Sequence, residues 1–537
     1  MRRWRSGRAY GIAGLALLVA GLAEAAAVNI ERVSVSSTGQ QANDANNTPV
    51  LSENGQFVVF TSRASNLVPG DTNGVADIFI RNRQSGQIER VSVSSSGAQG
   101  NRDSFNTAIS NDGRFVAFAS LANNLTVGDD NGIQPDIFVR DRQTGMTELV
   151  SVSSTGALTN GGSSRPSISD DGRFVAFNSA ASTLTPGDTN NEDDIFVHDR
   201  QTRTTQRVSV SSTGELGNGL SSNLALSGNG QTVAFASSSS NLVPGDTNDK
   251  IDIFVHDLAT RTTERISVNS AGQQGDDHSQ DLSISEDGQV VAFQSFASNL
   301  APGDTNGRAD IFVHDRRNGV TERVSVSSAG VQANLSSFKH AISDDGRSVV
   351  FLSQATNLVP GDTNGAPDVF LHNRQTRTTE RMSVNSSGMQ GNSESYEPAI
   401  SGDGRFVAFA SLASNLVAGD TNGTGDVFVA QLGAPQPPPP TEPALESVSV
   451  SPNPARAGGR VTVTLRLTAA APGRRGAAIP VTVTKDGQPQ PVRVSVRVRG
   501  TTGVKRVKLS RRLAAGTYNF SATFGGVTKT TALTVSQ

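Results

Sequence analysis

An all-β fold built from a sevenfold repeat, with a second all-β module after it, is predicted by three observations. The first is a recurring acidic loop: GDTNGVAD at 70–77, GDTNGRAD at 303–310, GDTNGAPD at 361–368 and GDTNGTGD at 419–426. With the diverged copies included, loops start at Gly70, Gly128, Gly187, Gly245, Gly303, Gly361 and Gly419, spaced 58, 59, 58, 58, 58 and 58 residues apart. A near-constant period of that length marks a repeat architecture. The second observation is that each copy carries four short strand signals separated by turn residues. The third is that the last copy lacks its fourth strand, while a matching orphan strand stands at the N-terminus.

The elements follow in chain order. Arg2, Arg3, Arg5 and Arg8 precede an apolar stretch from Gly11 to Leu22, and AEA and AAA follow at 23–25 and 25–27. Basic, apolar and small residues in that order predict a secretory signal peptide over 1–26. The apolar stretch is shorter than the roughly 20 residues that span a bilayer. No later apolar run is long enough either, so no transmembrane segment is expected. There is no cysteine. Disulfides, thiolate metal sites and cysteine nucleophiles are excluded.

The second copy shows the repeat unit. TAIS (107–110) is closed by the turn NDG, and RFVAFAS (114–120) alternates large and small residues. After a long loop, DIFVRDR (136–142) alternates again, with Ile137 and Val139 on one face. The turn QTG leads into TELVSVS (147–153). Period-two alternation bounded by Asn-Gly, Asp-Gly and Thr-Gly turns predicts an antiparallel meander. A lone four-stranded sheet cannot cover its faces, but seven set radially cover one another as a seven-bladed β-propeller. VNIERVSVSS (28–37) matches QIERVSVSS (87–95). Residues 28–36 are therefore expected to pair as the outer strand of blade seven, closing the ring and removing exposed edges.

SNDGRFVAF followed by DIFVRDRQTG resembles the TolB-type, WD-repeat-like propeller repeat of bacterial envelope proteins, over about residues 30–432. The resemblance implies a propeller over 27–432 and an envelope setting. TolB itself has a further N-terminal α/β domain that this sequence lacks, so a Pal-binding role is not implied.

GAPQPPPPTEP opens a Pro-rich linker, 433–444, which is expected to be extended. About seven alternating segments in 445–537 predict an immunoglobulin-like β-sandwich. This module holds 15 Lys+Arg and 2 Asp+Glu, or +13, whereas the propeller holds 27 Lys+Arg and 45 Asp+Glu, or −18. A basic module of this kind suits contact with an anionic envelope polymer. Its only aromatics are Tyr518, Phe520 and Phe524, which disfavours nucleic acid.

The acidic loop and the blade linkers are both long and are expected on one rim, where function tends to sit. D-x-N at the loop start, with an Asp four residues on, matches the opening spacing of calcium loops. The oxygen trios are Asp71/Asn73/Asp77, Asp129/Asn131/Asp136, Asp188/Asn190/Asp194, Asp246/Asn248/Asp252, Asp304/Asn306/Asp310, Asp362/Asn364/Asp368 and Asp420/Asn422/Asp426. The loop therefore reads either as a calcium site or as a repeated Asx turn. His198, His256, His314 and His372 recur one per blade on the third strand and read as structural. Phe105, His278, Phe338 and Tyr396 are singular residues near the blade linkers and are the expected ligand surface.

No G-x-S-x-G elbow, H-E-x-x-H, P-loop or dinucleotide fingerprint occurs. The sequence thus predicts a monomeric, secreted or periplasmic, non-enzymatic binding or scaffold protein, with a protein or glycan partner at the propeller rim. A propeller hydrolase or lyase acting on extracellular polysaccharide, or a surface adhesin, are the alternatives.

Overall fold

The computed structural model describes residues 29–432, except 130, 131 and 191, and within 445–536 the strands alone. The expected signal peptide, the Pro-rich linker and Asn131 lie outside the described residues. The chain divides into two units, Met1–Gly433 and Ala434–Gln537.

The first unit is a seven-bladed β-propeller of four-stranded sheets. Blade 1 runs outward as β2 (Asn46–Leu51), β3 (Phe57–Ser62), β4 (Asp77–Asn82) and β5 (Ile88–Arg90). Five further blades repeat this order. Blade 7 draws three strands from 395–431, and its fourth is β1 (Asn29–Arg32), antiparallel to Asp426–Gln431 with Asn29 opposite Gln431 and Arg32 opposite Phe428. The predicted N-terminal closure is therefore present.

The alternation of large and small residues explains how blades stack. In blade 2, Phe118 and Phe138 face Val59, Ile78 and Ile80 of blade 1. Ala117 and Ala119 lie on the opposite face, where they make room for Phe177 and Phe196 of blade 3. Both faces of the middle strands are thus buried, and no polar face is left on them. Phe118 and Phe138 stack with centroids 5.8 Å apart at 26°, and every blade repeats the pair. Each buried phenylalanine contributes about 1.5–3 kcal/mol.

The turn between first and second strands is built from Ser-x-x-Gly. Ser110 Oγ accepts from the Phe115 amide at 2.9 Å and donates to Asp112 Oδ1 at 2.7 Å. Gly113 has φ +71°, and a Cβ there would stand 2.3 Å from the Phe57 ring of the preceding blade. Glycine is required at this turn both for its φ and for the close approach of Phe57.

Among the described residues of the second unit, nine strands form a three-stranded and a six-stranded sheet, with Tyr518, Phe520, Leu533 and Val535 buried.

Candidate functional site

Three polar constellations stand on this scaffold: the acidic loops, the channel wall and the tight-turn mouth of the channel.

The loops bring their acids together, but around a cation supplied by the chain. In blade 1, Arg90 Nη1 lies 3.0 Å from Asp71 Oδ1 and 3.1 Å from Asp77 Oδ2. Asn73 turns its amide nitrogen inward, donating to Asp77 Oδ2 at 2.8 Å and to the Gly100 carbonyl at 2.9 Å. Both partners are acceptors, so the Asn73 oxygen faces away from the cluster. Ser92 Oγ donates to Asp77 Oδ1 at 2.5 Å.

The same arginine recurs around the ring. Arg207 holds Asp188 and Asp194 at 3.2 and 3.0 Å, and Arg265 holds Asp246 and Asp252 at 3.0 and 3.5 Å. Arg323 holds Asp304 and Asp310, Arg381 holds Asp362 and Asp368, and Arg32 holds Asp420 and Asp426. Asn248, Asn306, Asn364 and Asn422 also direct the amide nitrogen at the second Asp, and Asn190 directs it at the Gly217 carbonyl. Arg207 Nη1 meets Asp194 Oδ2 without hydrogen-bond alignment, so that contact is one of charge. Burial raises the pKa of Asp194, Asp252, Asp310 and Asp368, and the arginines oppose it.

A calcium ion needs six to eight inward oxygens. Here, in six blades, a guanidinium holds the centre as an internal ion pair, and the asparagine oxygens accept the amide two residues on, as Asn73 Oδ1 does from Val75. Asp129 and Asp136 belong to blade 2, where Leu149 replaces the arginine and Ser151 donates to Asp136 at 2.8 Å. The histidines are structural: His198, His256, His314 and His372 are buried, with Nδ1 at 2.8–2.9 Å from a threonine hydroxyl on the adjacent strand.

The central channel is the second constellation. In all seven first strands the pairing with the second strand slips at a β-bulge. The bulge residues are Thr48, Asn106, Arg165, Asn223, Asp281, Lys339 and Glu397, all at φ between 43° and 54°. Left-handed backbone costs a non-glycine residue about 1–2 kcal/mol. At the outer turns, three of the six copies relieve positive φ with glycine, at Gly86, Gly145 and Gly319, and three hold Arg203, Arg261 and Arg377 at φ 58–59°. At the bulge no copy does.

A bulge re-aims a side chain, and these seven line a channel cavity of about 340 Å³ with their neighbours. Among residues lining it, Thr107 Oγ1, Asn223 Oδ1 and both ring nitrogens of His340 are shut from water without a well-formed hydrogen bond. Burial lowers the His340 pKa, and the Ala292 backbone pulls weakly the other way. Lys339 Nζ reaches Asp281 Oδ2 at 3.9 Å.

The tight turns form the other mouth of the channel. Their backbones link around the axis: the amides of Glu286 and Asp344 donate to the carbonyls of Asp344 and Gly402 at 3.0 Å, and Asp403 donates to Glu53 at 2.9 Å. Burial, followed by repulsion from Asp170, Glu286 and Glu53, pushes Asp344 up to about 7. Burial, with Glu286 and Glu53 next, pushes Asp170 up to about 6. A Cβ on Gly402 would stand 1.9 Å from the Asp344 carboxylate, so that glycine leaves room for the acid.

The singular residues expected to form a ligand surface are placed elsewhere. Phe105 and Phe338 pack half-buried into the core clusters that join blades, as does Tyr396. His278 Nδ1 accepts the Ile251 amide at 3.0 Å. The residues one further on, Asn106, Lys339 and Glu397, diverge and line the channel. A polar channel within a sevenfold ring of near-identical blades defines the class of protein as a seven-bladed β-propeller with an individualised channel wall.

No family model matches the chain, and no curated protein matches it. Solved structures do. A protein described as TolB from Agrobacterium tumefaciens is similar at 14% identity, over 55% of this chain and 87% of that one, with TM-score 0.33. The WD40 repeats of RRP9 are similar at 10% identity, over 76% of this chain and 100% of that one, with TM-score 0.40. The periplasmic gluconolactonase PpgL of Pseudomonas aeruginosa is similar at 15% identity, over 62% and 84%, with TM-score 0.32. Among the described residues, no helix is long and apolar enough to cross a membrane.

Proposed function

We propose that this chain is an exported, non-enzymatic binding or scaffold protein of the bacterial cell envelope, and that its propeller channel recognises a protein or glycan partner. One observation carries the reading. The blades repeat their core and turns, and six of the seven repeat the arginine cluster, yet seven bulge positions lining the channel hold Thr, Asn, Arg, Asn, Asp, Lys and Glu. Side chains kept at strained backbone positions point to function at those positions. The basic C-terminal module, read as immunoglobulin-like, serves as a contact to anionic envelope polymer. The acidic loops serve as latches inside each blade.

The test is a thermal-shift screen of peptides and glycans against the full mature chain. Its control replaces Asn106, Arg165, Asn223, Asp281, Lys339 and Glu397 together with glycine, which tolerates the same φ. Ligand shifts lost in the control support the channel. Shifts that persist in it place recognition elsewhere and overturn the reading. The four acids at the tight-turn mouth favour a second reading, a polysaccharide hydrolase or lyase. Turnover of a glycan that disappears with Asp344→Asn would establish it instead.

A further inference from the structure

The channel wall carries two cations and two anions, and they are not equivalent. Lys339 and Asp281 stand on neighbouring blades and face each other at 3.9 Å. Arg165 and Glu397 line the same cavity, and among the described residues neither has an ion pair or side-chain hydrogen bond. They belong to blades 3 and 7, three steps apart around one side of a seven-membered ring and four around the other. They therefore stand nearly opposite each other across the axis. Thr107 on blade 2, Asn223 on blade 4 and His340 on blade 6 also line the cavity, with Thr107 Oγ1, Asn223 Oδ1 and the His340 ring nitrogens shut from water. Buried polar groups are ordinarily hydrogen-bonded.

The channel thus offers a fork of donors on one wall, an acceptor carboxylate on the facing wall, and neutral polar groups elsewhere in its lining. A guanidinium is suited to a carboxylate, which it can grip with two hydrogen bonds. A carboxylate is suited to an ammonium. At about 340 Å³ the cavity lies at the lower end of ligand pockets, roughly 300–1,000 Å³. We propose that the channel binds a small zwitterion of the amino-acid and short-peptide class, its carboxylate on Arg165 and its ammonium on Glu397. This rests on the channel being the recognition site and narrows its ligand to one chemistry.

The experiment is calorimetry of the full mature chain with L-alanine, L-alanyl-L-alanine, the N-acetylated dipeptide and the C-terminally amidated dipeptide. The two free zwitterions separate a single amino acid from a peptide as the source. The expected result is that at least one binds, and that blocking either terminus weakens binding about tenfold or more, the worth of one charge-assisted contact. Arg165→Gln should abolish the preference for the free carboxylate, and Glu397→Gln the preference for the free ammonium. The double exchange of Arg165→Glu with Glu397→Arg should restore binding of the free dipeptide in the reversed orientation. Unfolding midpoints like that of the parent protein certify each variant as folded. Equal binding of free and blocked forms, or no binding of either zwitterion at millimolar concentration, overturns the proposal. If ligands found in the broader screen still depend on the ring, the channel reading survives that failure. If no ligand depends on the ring, both fall.

Discussion

Arg207 is the most informative single residue to remove. Its side chain is 4% exposed, and those of Asp188 and Asp194 are 3% and 0% exposed. Arg207→Leu deletes the only cation in that cluster and leaves two carboxylates facing each other away from water. Breaking a buried pair by removing one partner costs about 3–5 kcal/mol, because the remaining charge is uncompensated. Here two charges remain, so the upper part of that range is expected. Arg317 is the built-in reference. It pairs with Asp287 with both side chains about half exposed, and Arg317→Ala should cost at most about 1 kcal/mol. Urea unfolding followed by circular dichroism measures both. Adding Asp188→Asn and Asp194→Asn to Arg207→Leu should recover most of the loss, since the amides need no counter-ion. The loss should also shrink as pH falls and the orphaned acids take up protons. If Arg207→Leu costs no more than Arg317→Ala, the arginine clusters are not what holds the loops, and the reasoning fails.

Three other outcomes are expected. The unfolding midpoint of the full chain should be the same in EDTA and in millimolar calcium; a rise with calcium would mean that the ion displaces or joins the arginines. At the tight-turn mouth, the folded pKa values of Asp344 and Asp170, about 7 and about 6, lie above the unfolded value of about 3.9. The folded state then binds more protons than the unfolded one, so stability should fall as pH rises from about 4 to about 7. Asp344→Asn should flatten that decline and raise the midpoint at pH 8; an unchanged profile would refute the repulsion. Thr48 is β-branched at φ 47°, so Thr48→Gly should leave stability unchanged or raise it by up to about 1 kcal/mol. A clear loss would show that its side chain is part of the packing.

Much of the architecture could be read from period and composition, because a repeat multiplies weak signals. One alternating strand is ambiguous, whereas seven at a 58-residue spacing are not. The closing strand was legible because ERVSVSS appears once before any first strand. The acidic trios were legible as clusters and as Asx turns, in which Asn73 Oδ1 accepts the Val75 amide at 3.3 Å, but the cation among them was not. In five blades the counter-ion lies 13 to 19 residues downstream on the fourth strand, as Arg90 does from Asp77 and Asp71, and in blade 7 it is Arg32 of the closing strand. The signal was nevertheless present. Arginine precedes VSV or its variant at 32, 90, 207, 265, 323 and 381, and Leu149 replaces it only in the copy whose loop is one residue longer. The channel ring was hidden for a different reason. A bulge moves a side chain by a single residue of register, and divergence near the blade linkers pointed to Phe105, Phe338 and Tyr396, the residues just before it. The acids at the mouth, such as Glu53 and Asp344, looked like ordinary turn residues until the ring brought them to a common axis.

Ring closure by β1 has a mechanical consequence. Its partner strand lies about 400 residues away, with Asn29 opposite Gln431, and is the last of the propeller to be synthesised. Six blades must stack while the seventh presents an open edge, and the first-made segment must wait unpaired until the rest is complete. Once seated, the Arg32 ion pairs with Asp420 and Asp426 lock it in place. The propeller therefore behaves as a belt whose buckle is its own N-terminus. A force applied to the chain at Asn29 bears directly on the final blade, and a pull there would open the ring before it strained any other blade.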